Sequence, residues 1–502
     1  MEHRPSHRDD LRLGSRGARA PRAIDGHRPH VVIIGGGFGG LAAARGLAKA
    51  PVNITLLDRR NHHLFQPLLY QVATAALNAS DIAYPIRAAL AKQGNARDLL
   101  AEVRSIDTAE RRIGLDDGAL SYDYLVVATG ATHSYFGKDW AHLAPGLKSV
   151  EDALEIRRRI FLAYEAAERE SDPVAQQEWL TFAVVGGGPT GVELAGALGE
   201  IGLHTLAHDF RSIDSRRVRV LLFEGTDRVL GAYPPKLSEA AKRSLEERQV
   251  DVRVNTLVTA IDGTCVTVQK TERNADDSDG DAPPVTREER IGARTVLWAA
   301  GVQASPLAHS LGTPLDRAGR VEVLPDLSIP GHPEVFVVGD LARMVNPDGS
   351  LVPGVAQGAL QGGRHVAKLI FEEVRGRSAA RAPFRYHDKG NMATIGRASA
   401  VIATKRFARS GLLAWLLWWV VHIMFLVGFR NRVLVMFHWA WSWLTFKRGA
   451  RLITGQVGAL PAVRSIGPDG QVALPPPATT ITLEPPVYAG DHRPRPPSSP
   501  PS

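Results

Sequence analysis

Residues 31–40 read Val-Val-Ile-Ile-Gly-Gly-Gly-Phe-Gly-Gly, an apolar run followed by the pattern G-x-G-x-x-G and then by an alanine-rich stretch. This order predicts a buried strand, a tight turn and a helix. Gly35 permits the turn, Gly37 lets a pyrophosphate approach the backbone, and Gly40 lets the helix pack closely on the sheet. Because a helix N-terminus carries a partial positive charge, the turn predicts a dinucleotide phosphate site. A turn that binds no ligand is the alternative for a single copy of the pattern.

A second copy of the pattern occupies residues 182–193 and reads Phe-Ala-Val-Val-Gly-Gly-Gly-Pro-Thr-Gly-Val-Glu. Its three glycines are Gly186, Gly188 and Gly191. An acidic residue ends the next predicted strand in each copy, Asp58 in the first and Glu224 in the second. A carboxylate at this position can accept hydrogen bonds from an adenosine ribose and repels the 2′-phosphate of NADPH. Glu224 therefore predicts NADH, although Arg228 lies four residues further on.

Two dinucleotide sites in one chain imply two cofactors that exchange electrons, and a flavin is the usual acceptor of a hydride from a nicotinamide. Three small residues that follow a predicted strand favour FAD in the first site: Ala128, Thr129 and Gly130. Asp340 ends another apolar run, residues 335–338, where its carboxylate could bond a ribityl chain. The alternative for Asp340 is a helix cap before Leu341.

Short β-branched runs alternate with helical stretches along the chain, which predicts an α/β protein. We predict two Rossmann-like dinucleotide-binding domains followed by a C-terminal helical membrane anchor. The predicted boundaries are a basic disordered tail at 1–29, the FAD-binding domain at 30–147 and 305–375, the NADH-binding domain at 148–304, a membrane-associating region at 376–460 and a Pro-rich disordered tail at 461–502. An acidic stretch at 273–290 is expected to be a surface loop.

The composition excludes several kinds of redox and metal site and indicates a type of partner. Cys265 is the single cysteine, which excludes an internal disulfide, a redox dithiol and a Cys-rich metal site. No metal site is predicted. The chain carries 60 basic and 52 acidic residues, a net charge of +8. Since much of the excess lies near C-terminal apolar segments, it indicates an anionic membrane surface before it indicates nucleic acid.

An apolar segment at 412–429 is interrupted only by His422 and Gly428, and a second covers 433–446. Six tryptophans lie in this region: Trp415, Trp418, Trp419, Trp439, Trp441 and Trp443. Basic residues flank the segments on both sides: Lys405, Arg406, Arg409, Arg430, Arg432, Lys447, Arg448 and Arg451. We therefore predict a peripheral, monotopic anchor on the cytoplasmic side of the cell membrane, with residues 405–451 against anionic lipid. A helix buried in the core or in a dimer interface, and a transmembrane span, are the alternatives.

With these residues in place, the chain resembles the type II NADH:quinone oxidoreductases, single-subunit respiratory flavoproteins. The resemblance runs from about residue 31 to residue 453 and includes the segments 63–73, 298–306 and 353–361. It implies a glutathione-reductase-like scaffold with FAD in the first domain and NADH in the second. It also implies two-electron reduction of a quinone near the flavin without proton pumping, and a homodimer.

The resemblance also implies roles for individual residues. Ala356, Gln357 and Gln361 are expected to border the quinone, and the spacing of the two glutamines places both amides on one helix face. Glu193 is expected near the nicotinamide ribose, Lys389 near the redox centre, and Gln66, within the segment 63–73, at the cofactor. The alternatives are a polar helix face for the glutamines, a helix-dipole contact in the first turn for Glu193 and a surface lysine for Lys389.

Other activities on such a scaffold stay open at this point. Disulfide reductases and sulfide:quinone oxidoreductases need additional cysteines, which this chain lacks. An NADH oxidase, a ferredoxin-type reductase and a flavoprotein sensor without turnover are the competing hypotheses. Reduction of the flavin by NADH and its reoxidation by quinone would separate the oxidoreductase from these alternatives.

Overall fold

The computed structural model describes residues 28–272, 285–377, 380–445, 448–454 and 460–461. The predicted tails at 1–29 and 461–502 lie outside the described residues except at residues 28–29 and 461. Most of the predicted loop at 273–290 also lies outside them, and the described chain resumes there as a strand at Val285.

The N-terminal part begins with a buried strand that leads directly into the first glycine turn. Its strands are β1 (His30–Ile34), β2 (Asn53–Asp58), β3 (His62–Leu64), β4 (Ala83–Pro85), β5 (Ala96–Leu100), β6 (Val103–Asp107), β7 (Arg112–Leu115), β8 (Gly118–Ser121), β9 (Tyr124–Val127) and β10 (Ala131–His133). Its helices are α1 (Phe38–Gly46), α2 (Leu69–Ala73), α3 (Ala79–Ile82), α4 (Ile86–Leu90) and α5 (Val150–Arg169).

The middle part repeats this order after the helix α6 (Pro173–Trp179). Its strands are β11 (Thr181–Val185), β12 (Arg219–Phe223), β13 (Val250–Arg253), β14 (Thr256–Ile261), β15 (Cys265–Glu272), β16 (Val285–Gly292), β17 (Thr295–Trp298) and β18 (Val302–Ala304). Its helices are α7 (Pro189–Glu200) and α8 (Pro235–Glu246), and a short π-helical turn, Ile201–Thr205, extends α7.

The chain then returns to the first sheet through β19 (Val321–Glu322), β20 (Ser328–Ile329), β21 (His332–Val337), β22 (Ala342–Arg343) and α9 (Ala356–Glu373). The first sheet has the order β20-β21-β9-β1-β2-β5, and the second has the order β13-β12-β11-β17. All neighbours in both sheets are parallel except β20 and β21. The prediction of an α/β fold with two Rossmann-like units is confirmed.

The duplication extends beyond the parallel strands. A three-stranded antiparallel sheet, β6-β7-β8, precedes β9 in the first unit, and β14-β15-β16 precedes β17 in the second. The strands β10 and β18 pair antiparallel, with Ala131 opposite Ala304 and His133 opposite Val302. The two chain crossings between the units therefore lie side by side.

Two close helix contacts fix the layers around the glycine turns. A Cβ atom on Gly363 of α9 would lie 2.2 Å from the carbonyl oxygen of Gly39 in α1. A Cβ atom on Gly196 of α7 would lie 1.8 Å from the carbonyl oxygen of Ile395. Glycine is required at both positions because any side chain would overlap backbone atoms.

The C-terminal part consists of β23 (Asn391–Gly396), β24 (Ser399–Ala403), β25 (Ala408–Gly411), α10 (Leu412–Phe425) and α11 (Phe429–Thr445). The two predicted helices of the anchor are present, with bounds that differ from those of the apolar segments 412–429 and 433–446. The first helix ends at Phe425 and the second begins at Phe429, because Gly428 adopts φ +92° and turns the chain.

Several residues assigned to the lipid surface from the sequence instead contact the protein. Trp418 and Trp439 are buried in the largest hydrophobic cluster. Arg448 is buried and pairs with Glu200 at 3.3 Å, and Arg451 pairs with Asp209. Lys447 lies outside the described residues.

The opposite face of α10 and α11 is exposed and apolar. Most of the exposed large apolar side chains in the described residues lie between residues 407 and 452, and they include Leu413, Leu416, Val420, Met424, Phe437 and Leu444. Those of α10 are spaced three or four residues apart, so they form one stripe. Among the described residues, no helix is both long and apolar enough to cross a membrane.

Candidate active site

The first glycine turn forms an open cradle at the N-terminus of α1. Gly35 has φ +100°, and a Cβ atom on it would lie 2.4 Å from the carbonyl oxygen of Ala128. A Cβ atom on Gly40 would lie 1.8 Å from the carbonyl oxygen of Gly35. At Gly37, by contrast, no atom of the described residues lies within 4 Å of the Cβ position. The space above Gly37 therefore suits a group that approaches the backbone closely, such as the pyrophosphate of FAD.

The acid at the end of β2 is bound to the same turn. One carboxylate oxygen of Asp58 accepts a hydrogen bond of 2.6 Å from the backbone N–H of Gly36, and the other accepts one of 2.7 Å from Arg60. Asp58 lines a cavity of about 200 Å³ together with Leu56, Ile86 and Asp98. The position and the cavity fit the adenosine half of FAD.

The second glycine turn reproduces this geometry. Gly186 has φ +105°, a Cβ atom on Gly191 would lie 1.8 Å from the carbonyl oxygen of Gly186, and no protein atom lies within 4 Å of the Cβ position of Gly188. Glu224 accepts a hydrogen bond of 2.7 Å from the backbone N–H of Gly187 and one of 2.8 Å from Thr226. The two turns are thus equivalent sites for two dinucleotides.

Each turn is also held through the carbonyl of its middle glycine, which sequence reasoning missed. The Nδ1 atom of His63 lies 3.0 Å from the carbonyl oxygen of Gly36, and burial lowers the pKa of His63. A neutral imidazole with its proton on Nδ1 donates this bond. In the second turn the backbone N–H of Leu230 donates to Gly187 over 2.8 Å. No spacing rule indicates either contact, although His63 opens the segment 63–73.

The remaining predicted flavin residues surround the first cradle. Ala128, Thr129 and Gly130 follow β9, and the buried hydroxyl of Thr129 has no hydrogen-bond partner among the described residues. Asp340 lies in a short 3₁₀ turn, Gly339–Leu341, rather than at a helix cap, and its carboxylate makes no hydrogen bond with the described residues. Ala356 is the first residue of α9. Unpartnered polar groups beside the open glycine turn fit a polar cofactor such as FAD.

A cavity of about 130 Å³, which we call the redox cavity, lies where the two units meet. Its lining includes Gln66, Tyr70 and Leu69 from the first unit and Thr190, Glu193 and Trp298 from the second. The side-chain amide of Gln66 donates to the carbonyl oxygen of Lys148 over 3.2 Å. Because both units line this cavity, it is the place where two bound cofactors could exchange electrons.

Glu193 reaches the redox cavity from the second turn of α7, not from the first. The helix-dipole explanation weighed for it is therefore wrong. Its carboxylate accepts a long hydrogen bond of 3.4 Å from the backbone N–H of Thr394 in β23. Burial raises the pKa of Glu193 to about 8. The group is consequently protonated at neutral pH and can exchange a proton.

The glutamines of α9 bind a loop rather than presenting free amides. Gln357 donates to the carbonyl oxygen of Gly390 over 3.1 Å, and Gln361 both donates to and accepts from the backbone of His387. The side-chain oxygen of Gln357 is buried and accepts no hydrogen bond from the part of the chain that the structure describes. Lys389 lies in the same loop, is exposed, and has its Nζ 5.8 Å from the ring of Phe425 in α10. The loop 387–390 therefore connects α9 to the apolar face of α10.

Comparison with known proteins places this arrangement in a family. A model described as pyridine nucleotide-disulphide oxidoreductase matches residues 29–363, and a model of the NDH2 C-terminal domain matches residues 388–448. The type II NADH:quinone oxidoreductase Ndh of Mycobacterium tuberculosis is 46% identical over 87% of this chain and 92% of its own length. The demethylphylloquinone reductase NdbB of Synechocystis is 30% identical over 82% of this chain and 96% of its own length.

Solved structures agree with the fold. NDH2 from Plasmodium falciparum in complex with NADH superposes with a TM-score of 0.74 at 18% identity, over 85% of this chain and 100% of that one. The sulfide:quinone oxidoreductase of Aquifex aeolicus gives 0.61 at 21% identity, over 80% and 92%. At such identities the structures show a shared fold alone, whereas the sequence matches over nearly the whole chain show the family. This chain belongs to the type II NADH:quinone oxidoreductases.

Proposed function

We propose that this protein oxidises NADH and reduces a membrane quinone to quinol by two-electron transfer through FAD, without pumping protons. The observation that carries the proposal is the redox cavity between two equivalent glycine turns, each with an acid bound to its middle glycine. Bound FAD supplies the redox chemistry, because it can take up a hydride and release its electrons to a second acceptor.

The residues of the first unit hold FAD in this proposal. Gly35, Gly37 and Gly40 shape the pyrophosphate site, and Asp58 binds the adenosine ribose. Gln66, Ala128, Thr129, Gly130, Asp340 and Ala356 surround the flavin end. In the second unit Gly186, Gly188 and Gly191 bind the NADH pyrophosphate, and Glu224 binds its adenosine ribose. The proposed domains are 30–147 and 305–375 for FAD, 148–304 for NADH and 376–460 for membrane association.

Glu193 has the properties of a proton carrier in this reaction. Quinol formation consumes two protons, and a carboxyl group with a pKa of about 8 holds a proton at neutral pH that it can give up. Glu193 lines the redox cavity, so a proton that it releases enters the space where the two cofactors are proposed to meet.

The raised pKa of Glu193 predicts a specific pH dependence of stability. In the unfolded chain the group ionises near 4.5, and in the folded protein near 8. Between these values the folded state holds a proton that the unfolded chain has lost, so the free energy of unfolding decreases as the pH rises. Between pH 5 and pH 8.5, we expect the melting temperature of the parent to fall a few degrees further than that of Glu193→Gln, roughly what 1–2 kcal/mol produces. Equal falls in the two proteins would show that the carboxyl is not buried in its neutral form.

Glu224 predicts a preference for NADH over NADPH. Its carboxylate lies where the 2′-phosphate of NADPH would bind, and the like charges repel. We expect Glu224→Ser to raise kcat/KM for NADPH by about tenfold, since removing roughly 1.4 kcal/mol of repulsion changes the rate by that factor. Asp58→Ser is the matched control, because it removes the equivalent acid from the FAD site. If both variants changed the NADPH to NADH ratio equally, Glu224 would not be the discriminating group.

The quinone is expected beside the flavin, bordered by α9. Gln357 and Gln361 fix the loop 387–390 against this helix, and Lys389 extends from the loop to α10. The unpaired oxygen of Gln357 is an acceptor suited to a quinol hydroxyl. We propose that these contacts form the quinone border of the site.

The apolar face of α10 and α11 supports peripheral attachment to the membrane. Lys405, Arg406, Arg409 and Arg430 are exposed beside this face, and they are the cations suited to anionic lipid. A quinone with an isoprenoid tail stays in the bilayer, so the attachment gives access to the substrate. We propose the cytoplasmic side of the cell membrane, a monotopic mode and a homodimer.

Anaerobic stopped-flow spectroscopy tests the activity directly. NADH should bleach the flavin absorption of the purified holoprotein, and a short-chain quinone should restore it. Reoxidation by oxygen or by a one-electron carrier, but not by quinones, would support an NADH oxidase or a ferredoxin-type reductase instead. Tight NADH binding without bleaching would support a sensor.

A further inference from the structure

A hydrogen-bonded chain runs from the anchor helix α11 to the redox cavity. The indole N–H of Trp439 donates to the side-chain oxygen of Gln71 over 2.5 Å. The side-chain amide of Gln71 donates to the phenol oxygen of Tyr70 over 2.8 Å. All three residues are buried, and Tyr70 lines the redox cavity. The chain therefore joins two parts of the sequence that are 368 residues apart.

The direction of every bond in this chain is determined by chemistry. An indole N–H can only donate, so the side-chain oxygen of Gln71 must face Trp439. The amide hydrogens of Gln71 must then face Tyr70, and the phenol oxygen must accept. Since one lone pair of the phenol is occupied by Gln71, the hydroxyl hydrogen of Tyr70 has to point elsewhere. It has no acceptor among the described residues, and the redox cavity is the space beside it.

We infer that Tyr70 is a further catalytic residue, which donates a hydrogen bond into the redox cavity to a carbonyl oxygen of the flavin or of the quinone. Gln71 and Trp439 are positioning residues that hold the hydroxyl in the donating orientation. The inference deepens the proposed function and rests on it, because the acceptor is a cofactor or a substrate of that reaction.

Tyr70 and Glu193 would have different roles in the redox cavity, one as a hydrogen-bond donor and the other as a proton carrier. Burial is the main cause that raises the pKa of Tyr70 well above its ordinary value, and the nearby Glu193 raises it further. The phenol therefore keeps its proton. Tyr70 can therefore stabilise negative charge that develops on an oxygen without losing its proton. Glu193 is the group of the pair that can exchange a proton.

The first test is Tyr70→Phe in the FAD-loaded protein, which removes one oxygen and leaves the ring. We expect the rate of flavin reoxidation by a short-chain quinone to fall about tenfold, the effect of losing roughly 1.4 kcal/mol of hydrogen bonding in the transition state. The midpoint potential of the bound flavin is measured without quinone. A shifted potential assigns the bond to the flavin, and an unchanged potential with a slower quinone step assigns it to the quinone.

An unchanged potential together with an unchanged quinone step would overturn the inference. The parent protein separates this outcome from a failure of the proposed function. If the parent reduces quinone and Tyr70→Phe does so equally well, the role of Tyr70 is refuted alone. If the parent reduces no quinone, the proposed function fails first.

The second test examines the positioning chain. Trp439→Phe removes the indole donor, which leaves Gln71 free to reverse its amide, so we expect a roughly threefold slower quinone step or a smaller shift of the potential. Trp419→Phe is the matched control, because the ring of Trp419 lies 5.9 Å from that of Trp439 and its buried indole N–H has no partner within the described residues. In the Tyr70→Phe background, Trp439→Phe should have no further effect. A full additional loss in that double variant, or an equal loss from Trp419→Phe, would show that Trp439 does not act through Tyr70.

Discussion

Replacing Gly37 with alanine should yield a folded protein that retains much less FAD on purification, whereas Gly188→Ala should yield a flavoprotein that needs a much higher NADH concentration for reduction. No protein atom lies within 4 Å of the Cβ position at either glycine, so the added methyl group costs no contact within the protein. It would instead occupy the space of the pyrophosphate. Forcing a methyl group into a close-packed contact costs roughly 1–3 kcal/mol, so each variant should lose about 10- to 100-fold in affinity for its own dinucleotide.

The comparison of the two variants is internally controlled because the two turns have the same geometry. Flavin absorbance of the purified proteins and titration of apoprotein with FAD measure the first site, and bleaching by NADH measures the second. Melting temperatures should match the parent without cofactor in both variants. Gly40→Ala is the contrasting case, since its Cβ would lie 1.8 Å from the carbonyl oxygen of Gly35 and should destabilise the fold itself. A normal affinity of Gly37→Ala for FAD would show that FAD does not bind at the first glycine turn.

The parts of the fold that the sequence predicted well are local. The strand, turn and helix around Gly35 and Gly186 are specified by apolar runs, by glycines in left-handed backbone and by small residues at close contacts. The acids Asp58 and Glu224 follow their strands at a fixed distance, and the structure bonds each of them to its own glycine turn. These features form between residues that are close in the sequence or that lie on adjacent strands.

The properties that escaped prediction depend on distant parts of the chain. Glu193 is half-buried and bonded to Thr394 because β23, some 200 residues later, packs on α7 where Gly196 has no side chain. The pairing of Trp439 with Gln71 spans 368 residues, and no local pattern indicates it. Arg448 follows an apolar segment, so the sequence predicted a contact with anionic lipid. In the structure it pairs with Glu200 in the protein interior. Tertiary contacts therefore decide which polar residues belong to the site.

The amphipathic character of the anchor helices illustrates the same distinction. Their composition and tryptophan content predicted a monotopic anchor, with a helix buried in the core as an alternative. The structure divides the helices into two faces, with Trp418 and Trp439 in the core and Met424 exposed at 66%. Of the apolar side chains of these helices, only the exposed ones can contact lipid.

That stripe predicts the second large effect. We expect the triple variant Leu413→Ser, Val420→Ser and Phe437→Ser to be released from anionic vesicles, with an affinity lower by about 1,000-fold. The three side chains are exposed in the protein, so their replacement should leave the fold intact. Inserted in lipid, each would be worth roughly 1.5 kcal/mol or more, and three such contributions account for the expected change. Co-sedimentation with vesicles at low and high salt measures it.

A matched triple variant separates lipid binding from a general change in surface polarity. Val174, Leu324 and Leu351 are exposed apolar residues outside the stripe, and their replacement with serine should leave vesicle binding unchanged. The stripe variant should still pass electrons to a short-chain quinone dissolved in water, because the redox cavity is untouched, but should lose activity with a long-chain quinone embedded in vesicles. If it stayed on the vesicles at high salt, another surface would have to hold the protein at the membrane. If it lost both activities, the stripe would be part of the catalytic structure rather than a route by which the bilayer supplies the substrate.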